Sequence, residues 1–275
     1  MSQPSFADVR KALIAAPGKP FDLSSHDTGN RTLFADKKLA RISLRKDAAV
    51  IDELQDKLYA NGDRALLVVL QGMDTSGKSG VIRNVFARTS PLGLQVEAFK
   101  APSKTELAHD YLWRIHDAVP RKGRIGIFDR SHYEDVLVVK VRNFAAPEAI
   151  EQRYEQINAF EKHLTENKVT ILKFMLNVGY EEQGIRLQER ITEEHKRWKF
   201  NPADLEDRRL WPEFMQAYET MVQHCSTKHA PWYIVPSDSR TRRNAMIARI
   251  IRDELEKMDL QWPNPGHRLE DHDFD

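Results

Sequence analysis

The chain has 275 residues, and 42 Lys and Arg against 41 Asp and Glu leave a formal charge of +1, so no global field draws it to nucleic acid, an anionic membrane or an acidic substrate. Hydrophobic residues at 41% and charged residues at 30% describe a globular protein of one large domain or two small ones, and exclude collagen-like, membrane-spanning and wholly disordered chains. One cysteine, Cys225, excludes an intramolecular disulfide and a Cys-rich zinc site.

The first residues hold no apolar stretch of signal-peptide length, and the run Ala65–Leu70 is too short to span a bilayer, so a cytoplasmic protein without a membrane partner is expected. Residues 1–33 scatter Pro, Gly, Ser and Asp without a sustained period and read as an extension carrying no chemistry. Ile51, Leu54 and Leu58 then fall three and four apart on an amphipathic helix that Asn61-Gly62 breaks, so residues 1–60 form an N-terminal extension and helix. Five short apolar runs follow: Ala65–Leu70, Val96–Phe99, Ile125–Phe128, Ile171–Leu176 and Trp232–Val235. Each has the length of a strand buried on both faces of a parallel sheet. Between them, the capping box Ser103-Lys104-Thr105-Glu106 predicts one helix carrying Leu107, Tyr111 and Ile115. Pro147 opens another, with Ile150, Tyr154, Ile157, Phe160 and Leu164 on one face. Alternating strands and helices imply an α/β fold around a parallel sheet of about five strands over residues 61–263, ahead of a polar tail at 264–275.

The sharpest motif is Gly72-Met73-Asp74-Thr75-Ser76-Gly77-Lys78-Ser79, a full match to G-x-x-x-x-G-K-[ST] placed directly after the first strand. Glycines let backbone N–H groups converge on phosphate oxygens, the helix beginning at the end of the loop adds its positive dipole, and Lys78 neutralises charge. Gly72, Thr75, Ser76, Gly77 and Ser79 are therefore candidate phosphate-cradling residues, with Ser79 able to hold magnesium. Ile125-Gly126-Ile127-Phe128-Asp129 is the apolar run that ends in a carboxylate, which makes Asp129 the candidate on the magnesium side, unless it simply caps a helix. Asp74 would repel phosphate without a cation between them, so it either shares a Mg²⁺ site with Asp129 or closes the loop through an Asx turn.

With these residues in place the chain resembles the polyphosphate kinase 2 family over about residues 50–263. The blocks that carry the resemblance are the loop, Phe99-Lys100-Ala101-Pro102-Ser103, Asp110-Tyr111-Leu112-Trp113-Arg114, Phe128 to Val138, Arg197-Trp198-Lys199-Phe200 and Ala230-Pro231-Trp232-Tyr233. The resemblance implies a thymidylate-kinase-like three-layer αβα P-loop kinase fold with a helical lid at about 180–210. Its implied reaction is reversible phosphoryl transfer between inorganic polyphosphate and purine nucleotides in a homo-oligomer, dimer or tetramer. Magnesium, or manganese, would serve as cofactor. Carried over to this chain, Asp74 and Asp129 arrange the metal and Lys78 is the loop lysine. Arg83, Lys100 and Arg130 grip phosphates. Glu134 resembles the subgroup that accepts AMP as well as ADP. The lid would bring Arg186, Arg190, Lys196, Arg197 and Lys199 over the phosphate chain, although Glu182 with Arg186 and Glu193 with Arg197 also have the spacing of surface helix pairs. Where relatives often carry Asp or Gly after the loop lysine this chain has Ser79, which favours direct contact with magnesium.

Other signals are set aside. No H-E-x-x-H spacing organises the ten histidines, and Cys225 has no nucleophile motif and is expected to be buried and inert. Phe99, Trp113, Trp198 and Phe200 could stack on a base or pack in the core. Arg240, Arg242, Arg243, Arg249 and Arg252 read as a solvated helix face or subunit contact in preference to a polyanion site. Two other functions share the loop: an ATP-dependent nucleoside monophosphate kinase, and a nucleotide switch without turnover.

Overall fold

β-branched runs flanked by turn residues and too short for helices form strands. In the computed structural model, which describes residues 3–264 and 266, these are β1 (Ala65–Gln71), β2 (Leu94–Ala98), β3 (Ile125–Asp129), β4 (Val169–Asn177) and β5 (Trp232–Pro236). They pair in parallel throughout, in the order β2-β3-β1-β4-β5. The helices, in chain order, are α1 (Phe6–Leu13), α2 (Lys37–Asn61), α3 (Lys78–Val85), α4 (Lys104–Leu107), α5 (Trp113–Asp117), α6 (Val138–Val141), α7 (Pro147–Glu166), α8 (Tyr180–Thr192), α9 (Ala203–Arg209), α10 (Trp211–Cys225) and α11 (Arg240–Lys257). None of the described helices is long and apolar enough to cross a membrane.

Two apolar layers sandwich the sheet. On one side α1, α2, α3 and α11 pack through residues such as Leu13, Ile51, Leu58, Val81 and Ile247, and on the other α7 and α10 pack through Ile157, Leu164, Phe214 and Met221. Each such side chain, fully removed from water, contributes roughly 1.5–3 kcal/mol. Asp36 caps α2 by accepting from the Lys38 N–H at 2.7 Å, and Gly62, in the left-handed region at φ 61°, ends it where Asn61-Gly62 was expected to.

The structure corrects several expectations. β2 is an edge strand whose Glu97 and Ala98 are exposed and whose Val96 is 49% exposed, so it is not buried on both faces. The single helix predicted from Ser103 is two, α4 and α5. The capping box is present, but the chain turns after Leu107, which is exposed, and Ile115 alone of the predicted triad is fully buried. The N-terminal extension contains α1, capped by a Ser5–Asp8 box, and is tied down: the Ala15 N–H donates to Trp232 O at 2.9 Å, and Ile14 bridges Tyr233 antiparallel. Eight residues are too few for periodicity to show. On α11, Arg242, Arg243 and Arg249 are buried, contrary to a solvated face, with Arg249 on Asp47 at 2.9 Å. The predicted polar tail lies almost wholly outside the described residues.

The buried face of α7 passes through Glu161 where Phe160 was expected, and Phe160 is only half-buried. Glu161 Oε2 accepts from Lys173 Nζ in the middle of β4 at 2.6 Å; Lys173 also donates to Tyr133 Oη at 2.7 Å and Cys225 O at 2.8 Å. Burial alone would raise the Glu161 carboxyl, but Lys173 and His132 outweigh it and hold it below its ordinary value. Burial pushes the Cys225 thiol up to about 12, in keeping with an inert cysteine.

Candidate active site

In an open parallel sheet, ligands bind beyond the carboxyl ends of the strands where the strand order reverses. Here that point lies at the end of β1, between β3 and β4, and the loop Gly72–Gly77 leaves β1 there to enter α3. The loop needs its glycines. Gly72 has φ 145° and a Cβ there would meet Leu176 O at 2.8 Å; Gly77 has φ 104° and a Cβ there would overlap the Arg243 guanidinium. Lys78, buried on the first turn of α3, folds back onto the loop and donates to Gly72 O at 2.8 Å.

The register of β1 and β3 pairs Leu70 with Asp129, so the Asp129 carboxylate stands beside the loop, with Oδ2 3.5 Å from Ser79 Oγ. The next residue, Arg130, holds a left-handed backbone at φ 66°, uncommon away from glycine and a form of strain found at functional sites. It turns its guanidinium onto Asp74 at 2.8 Å. Burial works to raise the Asp74 carboxyl, yet Lys78 and Arg130 outweigh it and keep it below the ordinary carboxylate range. Asp204, on α9, faces the same group: burial and the negative Asp74 push its carboxyl up to about 6 against the pull of Arg190. Glu134 accepts from Gln71 Nε2 at 3.0 Å, linking the β3 turn to the last residue of β1.

These groups open into a cleft of about 770 Å³. Of the sequence candidates it gathers Asp74, Thr75, Gly77, Lys78, Ser79, Lys100, Asp129, Arg130, Arg186, Arg190, Lys196 and Lys199. Gly72, Ser76, Arg83, Glu134 and Arg197 do not line it. Arg83, one turn beyond Ser79 on α3, is exposed at the surface outside the cleft, and Arg197 donates to Ile191 O at 3.1 Å. Arg186 lines the cleft but is committed to protein: it donates to Thr75 O at 3.0 Å, Ser237 O and Asp238 O at 2.8 Å, and Glu182 at 2.8 Å. It braces the phosphate loop against the β5–α11 turn. Arg190 pairs with Asp204 at 2.5 Å, and Lys196 with Glu189 at 2.7 Å.

Arg240 and Arg243, set aside in the sequence as a solvated face or subunit contact, also line the cleft. Both sit on the first turns of α11, and α11 begins at the carboxyl end of β5, so both line the cleft; Arg243 Nη1 donates to Ser76 O at 2.7 Å, and Arg240 pairs with Glu189 on α8 at 2.7 Å. The available signal was their position one and four residues after a strand-ending Pro-Ser-Asp-Ser turn. Of the four aromatic candidates, Phe99 lines the cleft but packs edge-on against Phe128; Trp113 stacks on His109, Trp198 is largely exposed, and Phe200 is partly buried outside the cleft.

No group of three or more His, Cys, Asp or Glu side chains among the described residues could cage a metal. Magnesium needs no such cage, because it keeps waters and substrate phosphates and takes one or two protein oxygens, and the Ser79 and Asp129 oxygens in this cleft fit that demand. Asp74, in this arrangement, is held by Arg130.

Comparison with known proteins agrees with this geometry. Residues 34–263 match the family described as Polyphosphate kinase 2. The AMP/ADP-polyphosphate phosphotransferase of Meiothermus ruber is 44% identical over 258 residues, 94% of this chain and 96% of that protein. The ADP-polyphosphate phosphotransferase of Rhodopseudomonas palustris is 38% identical over 274 residues, covering 94% and 95%. The crystal structure of Polyphosphate Kinase 2 from Arthrobacter aurescens TC1 superimposes with a TM-score of 0.93 at 37% identity, covering 98% of this chain and 96% of that one.

Proposed function

The chain belongs to the polyphosphate kinase 2 family, and on that premise we propose how its cleft carries a phosphoryl group from inorganic polyphosphate to AMP and to ADP. The observation that carries the reading is the charge of the cleft: nine basic side chains, Lys78 among them, face it against three carboxylates, Asp74, Asp129 and Glu189. Two polyanions must meet there, and cancelling their repulsion is the first task.

The backbone N–H groups of residues 72–77 and the start of α3 cradle the donor phosphates, and Lys78 swings from Gly72 O to neutralise them. Ser79 and Asp129 are the residues that would hold magnesium, or manganese, with Asp74 joining them when Arg130 turns to a phosphate. Bound there, the metal would draw charge from the reacting phosphates. The acceptor's terminal phosphate is already anionic near neutral pH, so it attacks in line without a general base, and positioning by Arg130 and Lys100 does the remaining work. Glu134, held by Gln71, sets acceptance of the monophosphate. Residues 180–210 act as the lid: Arg190 and Lys196 exchange their carboxylate and carbonyl partners for the phosphate chain, Lys199 joins them from over the Trp198 ring, and Arg186 stays as the brace. The exchange is phosphoanhydride for phosphoanhydride, which makes it reversible.

Nucleotide substrates and a lone buried cysteine support a cytoplasmic location, and the exposed edge of β2, with Leu92 beside it at 67% exposure, supports a homo-oligomer. The test of function mixes purified protein with Mg²⁺, long-chain polyphosphate and AMP or ADP, and follows nucleotides by chromatography. ATP from ADP and ADP from AMP, both lost in Lys78→Ala and Asp129→Asn, are expected. Transfer from ATP to a monophosphate, with none from polyphosphate, would make the protein a monophosphate kinase instead.

A further inference from the structure

The N-terminal extension, read from the sequence as carrying no chemistry, crosses the active-site end of the sheet. It arrives over α10, where the Phe21 N–H donates to Gln223 Oε1 at 2.7 Å and the Leu23 N–H to Glu219 Oε2 at 2.9 Å. It leaves along α11, where Arg242 Nη2 donates to Ala35 O at 2.6 Å. Between these anchors residues 26–28 form a strap over the carboxyl ends of β4 and β5. Asn177 Nδ2, on the last residue of β4, donates to His26 O at 2.9 Å, and the Asp238 N–H, just beyond β5, donates to Thr28 O at 3.1 Å.

The strap meets the lid at its root. β4 and α8 are joined by Val178 and Gly179 alone, so any turn of α8 against the sheet is taken up there. Gly179 is the N-cap of α8 and brings no side-chain cap; Asp238 Oδ1 instead accepts from the Gly179 N–H at 2.8 Å, the bond that the acid of a capping box would make. Its other oxygen, Oδ2, accepts from Thr28 Oγ1 at 2.7 Å. Among the described residues these are the carboxylate's two hydrogen bonds, and it joins no ion pair. The Asp238 carbonyl accepts from Arg186 at 2.8 Å, which ties the same residue to the brace of the phosphate loop. We propose that Thr28 and Asp238 are positioning residues for phosphoryl transfer: the strap orients the Asp238 carboxylate, and the carboxylate fixes the root of α8 and so the placing of Arg190 and Lys196 over the phosphates. The inference rests on the reading of residues 180–210 as the lid. Arg190 lies about 16 Å along α8 from Gly179, so a tilt of a few degrees at the root moves it by about 1 Å. Displacements of that size are costly at a site that works by positioning.

The test follows Thr28→Val, which removes the hydroxyl at nearly constant volume, and Thr28→Ser, which keeps it. Each is measured in ATP synthesis from ADP and long-chain polyphosphate, and in hydrogen exchange of the α8 amides without substrate. In Thr28→Val kcat is expected to fall about tenfold, the scale of one hydrogen bond to a charged group, and exchange over α8 to quicken by a similar factor. The KM for ADP should stay within about twofold, because Arg130 and Lys100 hold the acceptor and the strap touches neither. The thermal midpoint checks that the variant is folded, and Thr28→Ser should restore both kcat and exchange. Asp238→Ala should act in the same direction, and adding Thr28→Val to it should change nothing more, since the hydroxyl works through that carboxylate. Unchanged kcat or unchanged exchange in Thr28→Val, a loss that Thr28→Ser does not restore, or losses that multiply in the double variant would each overturn the inference. Wild type that takes no phosphate from polyphosphate would overturn the cleft reading instead, and the exchange comparison would still decide whether the strap holds α8.

Discussion

Lys173 Nζ lies 2.6 Å from Glu161 Oε2, with the two side chains 0% and 1% exposed, so a full ion pair sits in the core between β4 and α7. Breaking one partner of such a pair strands the other charge without water, which costs about 3–5 kcal/mol, whereas removing both can be nearly neutral. Lys173→Met should therefore lower stability by about that amount, and Glu161→Leu with Lys173→Met should recover most of it in chemical denaturation. The Glu161 carboxyl is held below its unfolded value, so its contribution is present above the ordinary carboxylate range and is lost as pH falls through the depressed value. Additive effects of the two substitutions would refute the coupling.

Asp135 has the opposite sign. Burial pushes its carboxyl up to about 6 from 3.8, although Arg153 at 3.4 Å and Arg114 pull it down. Between those values the folded chain holds a proton that the unfolded chain releases, so this group's contribution falls as pH rises through the window, by up to roughly 3 kcal/mol. Wild type should lose stability relative to Asp135→Asn between about pH 4 and 6, measured by denaturant midpoints at each pH. A flat difference would show that the carboxyl titrates normally.

Gly77→Ala places a methyl group into the Arg243 guanidinium from a backbone at φ 104°. The loop must shift, and a displacement of about 1 Å at a phosphate cradle costs about a hundredfold in rate. We expect kcat to fall by at least about that factor with little change in the thermal midpoint, and Arg243→Ala in the same chain to restore only part, because the left-handed strain remains.

Glu134→Asn tests acceptor choice. The turn that carries Glu134 is held by the Glu134 N–H donating to Ser131 O at 3.0 Å, so the substitution leaves that backbone bond and changes only the carboxylate that accepts from Gln71 Nε2. The ratio of kcat/KM for AMP to that for ADP should fall about tenfold, in the range that one polar contact discriminates. An unchanged ratio would remove Glu134 from the specificity of the site.

Much of the architecture was legible because it is written in local chemistry. Strand lengths follow from short β-branched runs, the end of α2 from Asn61-Gly62, and the phosphate loop from residues whose spacing the chemistry dictates. Periodicity misled where polar groups share an apolar face: Glu161 stands on the core side of α7 because a partner on another strand neutralises it. The split of α4 from α5 was equally hidden, since Leu107 has helical spacing yet meets no core.

What the linear order could not convey is which distant cations share one space. Arg186 and Arg243 are 110 and 167 residues from Ser76, yet each donates to its carbonyl. Arg83, only four residues from Ser79, is exposed and does not line the cleft. The sequence by itself determined the α/β class, the glycine-rich loop with Asp74 and the strand ending in Asp129, because backbone conformation and short-range spacing decide them. Only the tertiary structure decided which arginines face the cleft and which brace the loop, because the packing of α8 and α11 against the carboxyl ends of the strands sets those positions.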